Sequence, residues 1–166
     1  MTFTEETFEK AIIELFKNMG YTYVYAPDME RDYYSPLLES VLRDSLIRLN
    51  RTLPVEAVEE AIIKLKSFDI GSLVQKNIVF MDYLQNGITV KFFSKGEERS
   101  AIVRLIDYDK AENNTFYIVN QFTFLENGNN RRPDIILFVN GMPLVLMELK
   151  SPSKAVSYTH LRAHET

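Results

Sequence analysis

Cysteine is absent from the sequence, which rules out a disulfide framework and every thiolate-based zinc site. No apolar run approaches the roughly 20 residues that span a bilayer. The opening Met-Thr-Phe-Thr-Glu-Glu-Thr-Phe-Glu-Lys has no signal-peptide character, so a cytoplasmic protein with no membrane partner is the expectation. An excess of positive charge is also missing: 19 Lys and Arg stand against 23 Asp and Glu, a net charge of −4. A domain that grips nucleic acid by itself leaves a basic footprint. Here only scattered basic groups exist, among them Lys91, Lys95, Arg99, Arg104, Arg131 and Arg132, and a DNA-cutting role would need DNA delivered by other parts of an assembly. No stretch matches GxxxxGK[ST], so no ATP-driven motor of that type lies within these residues. Repeats and low-complexity segments are missing too.

What is present suits one globular domain. The 166 residues are 46% hydrophobic and 25% charged, with nine Tyr and eleven Phe for a core. Residues 4–19 predict an amphipathic helix with Phe8, Ile12, Leu15, Phe16 and Met19 on one face, Thr2 or Thr4 as cap and Gly20 as stop. Glu9 sits beside that stripe, on the side of Ile13 and Phe16. Residues 21–25 suggest a short strand. Ser35-Pro36 opens a second helix, Pro54 a third, and residues 72–84 a fourth that ends at Gly87. Glu39 in the second helix is a second-choice acidic group. Residues 88–93 and 100–106 then read as a hairpin, and residues 115–125 as one long strand. Gln121 within that run needs a hydrogen-bonding partner if it is buried.

The chain is organised around residues 131–150, Arg131-Arg132-Pro133-Asp134 through Met147-Glu148-Leu149-Lys150. Two unalternating apolar runs, 135–139 and 144–147, have the character of strands buried on both faces. Asn140-Gly141 between them marks a tight turn. Glu148 and Lys150 share one side of the second strand and Leu149 takes the other. Register decides whether Asp134 joins them. A two-residue loop would set Asp134 opposite Met147, on the wrong face. A three-residue loop would pair Val139 with Pro143 and set Asp134 opposite Glu148; this second parity, or a bend at Pro133-Asp134, is expected. Two carboxylates and an ammonium so placed suit phosphodiester hydrolysis, because Mg2+ takes hard carboxylate oxygens and a lysine can offset developing charge. The same groups could equally form a salt bridge or a solvated strand end.

The string RRPDIILFVNGMPLVLMELKSP resembles the PD-(D/E)xK nuclease signature at the N-terminus of the restriction (R) subunit of type I restriction-modification enzymes. The stretches FEKAIIELFKNMGY, LPVEAVEEAIIKL and VRLIDYDKAENNTFYIVNQFTFLENGNNRRPD resemble the same family, so the likeness spans roughly residues 3–153. It implies an α/β restriction-endonuclease-like core over residues 1–155, a central mixed sheet flanked by helices with a helical insertion at about 35–85. It also implies a Mg2+-dependent endonuclease acting on double-stranded DNA. Asp134 and Glu148 would be metal ligands, Lys150 the catalytic lysine, and Glu9 an acid beside the site; Asn120, Gln121 and Arg132 would support it. Methyltransferase and specificity subunits would be partners, with ATP used only by motor domains of the full-length subunit. Residues 156–166, with His160 and His164 four apart, read instead as a non-native tail on an N-terminal fragment. The alternatives are another PD-(D/E)xK nuclease, of repair or type III-like kind, and an inactive docking module.

Overall fold

The computed structural model describes residues 4–67 and 71–150. In chain order the elements are α1 (Glu5–Asn18), β1 (Thr22–Tyr25), α2 (Glu39–Leu49), α3 (Val55–Lys66), α4 (Leu73–Asn86), β2 (Ile88–Ser94), β3 (Glu97–Val103), β4 (Phe116–Asn120), β5 (Phe124–Glu126), β6 (Asn129–Arg131), β7 (Ile135–Val139) and β8 (Met142–Met147), with two short 3-10 turns. The architecture is α/β. A four-stranded mixed sheet has the order β1-β4-β7-β8, and two small hairpins, β2-β3 and β5-β6, stand apart from it. Strand β1 runs parallel to β4, whereas β4, β7 and β8 pair antiparallel.

Helix α1 forms where the sequence places its cap: the Thr4 side chain accepts the Thr7 N–H, and Glu5 and Glu6 lie in the first turn, where the helix dipole favours negative charge. Its inward face differs from the expected stripe. Phe8, Leu15 and Met19 are exposed, while Ile13 is buried and packs with Ile12 and Phe16 against Ile118, Ile135 and Leu137 of the sheet. Glu9, one turn before Ile13, is half-buried and leans toward the end of β4, where it meets Asn120. The opposite sheet face carries Val119, Ile136 and Phe138, covered by Ala26, Leu38 and Phe122.

A third apolar cluster joins α2, α3 and the β2-β3 hairpin. Leu42, Leu46, Val58, Ile62, Ile88, Val90 and Val103 are buried in it, together with Met142 at the start of β8. Strict alternation in β2, with Ile88, Val90 and Phe92 buried and the residues between exposed, is what seats this hairpin on α3. Helix α2 begins at Glu39 rather than at Ser35, because residues 35–38 are spent on a turn whose Ser35 hydroxyl bonds its own backbone. Helix α4 opens with a full capping box, Ser72 with Gln75. Among the described residues no helix is long and apolar enough to cross a membrane.

Two expectations for the strands change. The long strand at 115–125 is two strands, since Gln121 takes a left-handed φ of 56° that ends β4 and redirects the chain. Phe122 then turns into the core against Phe138, ring centroids 5.3 Å apart. On its other side the Arg31 guanidinium stacks over Phe122 and Tyr33, 3.9 and 4.2 Å from their centroids, and donates to the Thr123 carbonyl. Burial lowers the Arg31 pKa, and its Nε and Nη1 find no acceptor among the described residues. The second change is that β8 is an edge strand, with Val145 and Leu146 exposed, instead of a strand buried on both faces.

The turn between β7 and β8 is the most constrained point. Asn140 and Gly141 adopt φ of 51° and 80°, the combination of a two-residue turn with positive φ at both positions. A Cβ on Gly141 would lie 2.6 Å from both the Leu38 carbonyl oxygen and the Leu42 nitrogen. Gly141→Ala therefore adds backbone strain to a clash with α2, and is expected to lower unfolding free energy by about 2–4 kcal/mol; a urea midpoint matching the parent protein would refute the packing argument.

The loop after β3 gives a pH-dependent test. The Asn113 amide and the backbone N–H groups of Lys110 and Asp109, with Arg104 nearby, hold the Asp107 carboxyl below its ordinary pKa of 3.8 despite some burial. A depressed folded pKa contributes stability above the ordinary value and loses it as pH falls through the folded one. Asp107→Asn should thus be less stable near neutrality. The gap should close as pH drops below about 4, and a gap constant from neutral to acid would show that Asp107 does not carry it.

Candidate active site

One end of the four-stranded sheet gathers the chemistry-bearing groups. There β1 and β4 end at Tyr25 and Asn120, β7 begins after Asp134, and β8 ends before Glu148. Asn120 lies directly across from Ile135, the neighbour of Asp134, and Ile135 lies across from Met147, the neighbour of Glu148. Four strand ends from four separated stretches of chain thus meet at one place.

The register that brings the two acids together arises in a way the sequence did not suggest. The loop has two residues, and Val139 pairs with Met142, not with Pro143. Left alone, this would set Asp134 opposite Met147. A β-bulge between Leu137 and Phe138 then skips Leu144, so that Leu137 pairs with Val145 and Ile135 with Met147. The extra residue reverses the parity, and the expected neighbourhood of Asp134 and Glu148 follows from the bulge rather than from the turn. Asp134 Oδ2 accepts the backbone N–H of Leu149 at 2.6 Å, so the half-buried carboxylate extends the β7-β8 ladder by one rung against the Glu148-Leu149 peptide.

Beyond that rung the side chains separate by environment. Leu149 packs toward Ile13 and Ile118, whereas Glu148 and Lys150 are exposed. Arg132 is exposed on the segment leading into β7. Glu9 stands on the α1 side: Asn120 Nδ2 donates to Glu9 Oε1 at 2.6 Å, and the Tyr23 hydroxyl donates to Asn120 Oδ1 at 2.9 Å. Glu9, Tyr23, Tyr25, Asn120 and Gln121 line a shallow groove there. Gln121 contributes its strained backbone at the exit of β4. Tyr23 went unremarked in the sequence, where it is one of three alternating tyrosines; the signal available was that this alternation puts Tyr21, Tyr23 and Tyr25 on one strand face. Glu39, the second-choice acid, pairs with Lys66 at 2.5 Å.

The donor set can be weighed by its chemistry. Asp134 and Glu148 offer hard oxygens, and Asp134 keeps one oxygen free of the Leu149 N–H. That suits a small dication that takes one or two protein carboxylates and fills its remaining positions with water. Among the described residues no three acidic or His side chains gather closely enough to hold a metal together. An apolar cleft lies elsewhere, lined by Tyr34, Pro36, Leu37, Leu65 and Phe80, and has none of these groups. Residues 156–166, including His160 and His164, lie outside the described residues.

Comparison with known proteins is consistent along the chain. A family model described as type I restriction enzyme R protein N terminus matches residues 2–164. The chain is 34% identical over 157 residues to the type I restriction enzyme HindI endonuclease subunit of Haemophilus influenzae, covering 89% of this chain and 15% of that one. It is 30% identical over 153 residues to a Methanocaldococcus jannaschii protein named "Putative type I restriction enzyme MjaIXP endonuclease subunit", covering 87% and 15%. The chain thus spans about 15% of the length of these curated relatives.

The Asp134 rung separates structure from chemistry. Asp134→Ala leaves the Leu149 N–H without its acceptor and should cost about 1–3 kcal/mol. Asp134→Asn keeps an oxygen acceptor and should cost clearly less. Chemical denaturation of both variants checks this, and equal losses would mean that the bond to Leu149 contributes nothing.

Proposed function

The chain belongs to the family of type I restriction enzyme R protein N termini, and from that premise we propose that it is the DNA-cutting module of such a subunit. In this reading it has a restriction-endonuclease-like core, and α2 to α4 form a helical insertion. The module hydrolyses phosphodiester bonds of double-stranded DNA. Asp134 and Glu148 would hold Mg2+, which when bound would polarise the phosphoryl oxygen and make a water more acidic. Lys150 projects from the same strand end as Glu148 and offsets charge that builds on the phosphorus oxygens. Glu9 lies at the rim, and Arg132 is placed to meet a phosphate.

The observation that carries this reading is the Asp134 carboxylate bonded to the Glu148-Leu149 peptide, which binds an acid at the start of one strand to the acid and lysine at the end of the next. The net charge of −4 fits a cutter that receives its DNA rather than capturing it. We place recognition in methyltransferase and specificity subunits, and ATP-driven translocation in the remaining part of the R subunit, working together in the cytoplasm.

A docking role without catalysis is the second reading, favoured by the lack of a three-acid cluster among the described residues. The two part at one experiment. In the full-length subunit within its complex, Asp134→Asn and Lys150→Ala should abolish DNA cleavage while ATP hydrolysis continues. Glu148→Gln should also remove the heat of Mg2+ binding. Undiminished cutting by either of the first two variants would sink the nuclease reading.

A further inference from the structure

Helix α4 is apolar on two sides, and the fold covers only one of them. Phe80, Tyr83 and Leu84 pack into the cluster shared with α2, α3 and the β2-β3 hairpin. Val74, Ile78 and Met81 recur at i, i+4 and i+7 on the outward side, where they are 67%, 64% and 50% exposed. Leu73 stands exposed at the same end, and the whole helix carries two charges, Lys76 and Asp82. Single exposed apolar residues are ordinary on a surface. A contiguous seam of them along one helix marks a contact surface, because it leaves apolar area in water that a partner would remove. None of the groups of the candidate active site touches this seam, which belongs to the helical segment between β1 and β2.

We propose that the outward seam of α4 is the docking face for the remainder of the same R subunit. This rests on the reading above only in setting the chain inside a longer subunit, and it holds whether or not Asp134 and Glu148 bind a metal. The chain spans about 15% of the length of its curated relatives, so a subunit of that length has most of its polypeptide outside these residues. Val74, Ile78 and Met81 offer no charge to steer a partner that comes and goes, and apolar, charge-poor contact surfaces suit permanent interfaces. Size points the same way. The 14 residues of α4 make a rod about 21 Å long and about 10 Å across. A partner resting on that strip alone falls well short of the roughly 800 Å2 per side that holds free proteins together. A tethered partner needs less contact, since linkage gives it a high effective concentration.

The test starts from Ile78→Cys and Val74→Cys, each giving a unique thiol because these 166 residues contain no cysteine. Maleimide modification is read on the α4 peptide by mass spectrometry. In the 166-residue chain alone both thiols should react as exposed ones and leave Tm unchanged. In the full-length R subunit, with no other subunit present, both should react about tenfold or more slowly. Adding Ile78→Lys with Met81→Lys to Val74→Cys should restore fast labelling in the full-length subunit, because burying two ammonium groups is costly. Fast labelling throughout would overturn the proposal, and so would slow labelling that survives the two lysines. Protection that appears only once methyltransferase and specificity subunits are added would give the seam to a free partner instead. Protection already present in the short chain, with a dimer in sedimentation, would give it to a second copy. Either result also overturns the proposal. Cleavage by Asp134→Asn decides the nuclease reading separately, since none of these labelling outcomes depends on it.

Discussion

The fold depends on one fully buried side chain at a turn. Asn140 is 0% exposed and every polar group it can offer inward is used. Its N–H donates to the Thr115 carbonyl, its Oδ1 accepts the Thr115 N–H, and its Nδ2 donates to the Leu105 carbonyl and to Asn114 Oδ1. Gly141, next to it, accepts the Leu38 N–H on its carbonyl. These bonds tie together the end of β7, the approach to β4, the exit from β3 and the start of α2. With the turn fixed, the β7-β8 ladder has one possible start, and the bulge at Leu144 decides how it finishes at the far end, where Asp134 meets the Glu148-Leu149 peptide.

That arrangement divides the molecule into two packed regions with different tasks. The cluster around Leu42, Leu46, Val58 and Ile88 braces the turn end of the sheet. The cluster around Ile13, Ile118 and Ile135 holds α1 against the other half, and so brings Glu9 to the end with the acids. Polar groups are sparse among the buried residues, and Asn50, Asn120 and Asn140 are amides with partners on both oxygen and nitrogen. A buried amide with only one side satisfied would lose much of what the other side gained.

The sequence was most legible where pattern and local chemistry agree. The third helix, the stop of the fourth at Gly87, the β2-β3 hairpin and the turn at Asn140-Gly141 all followed from period, turn residues and positive-φ preference. It was least legible where tertiary contacts outweigh them. The stripe Phe8, Ile12, Leu15, Phe16 and Met19 is a good amphipathic face, yet the sheet takes Ile13 with Ile12 and Phe16 and leaves Phe8, Leu15 and Met19 exposed. The break at Gln121 could not be seen in an unbroken β-prone run, since a left-handed glutamine has no local signature. The bulge is similar: Leu144 looks like any other apolar strand residue, and only the fixed turn and the packed far end force it out of the ladder. The meeting of Asp134 with the Glu148-Leu149 peptide was readable in outline, and the Tyr23-Asn120-Glu9 chain of hydrogen bonds was not.

The spacing of the partners has a consequence for how the protein comes into being. Tyr23 and Asn120 are 97 residues apart and Glu9 and Asn120 are 111 apart; closing a loop of that size costs about 4 kcal/mol, while each hydrogen bond returns about 1. The chain of bonds cannot hold itself and exists only on a finished sheet. While a ribosome is still making residues before β7 and β8, the nascent polypeptide has Glu9 but neither Asp134 nor Glu148. Asp134 and the Glu148-Leu149 peptide thus come into register late in synthesis, after the bracing helices have emerged.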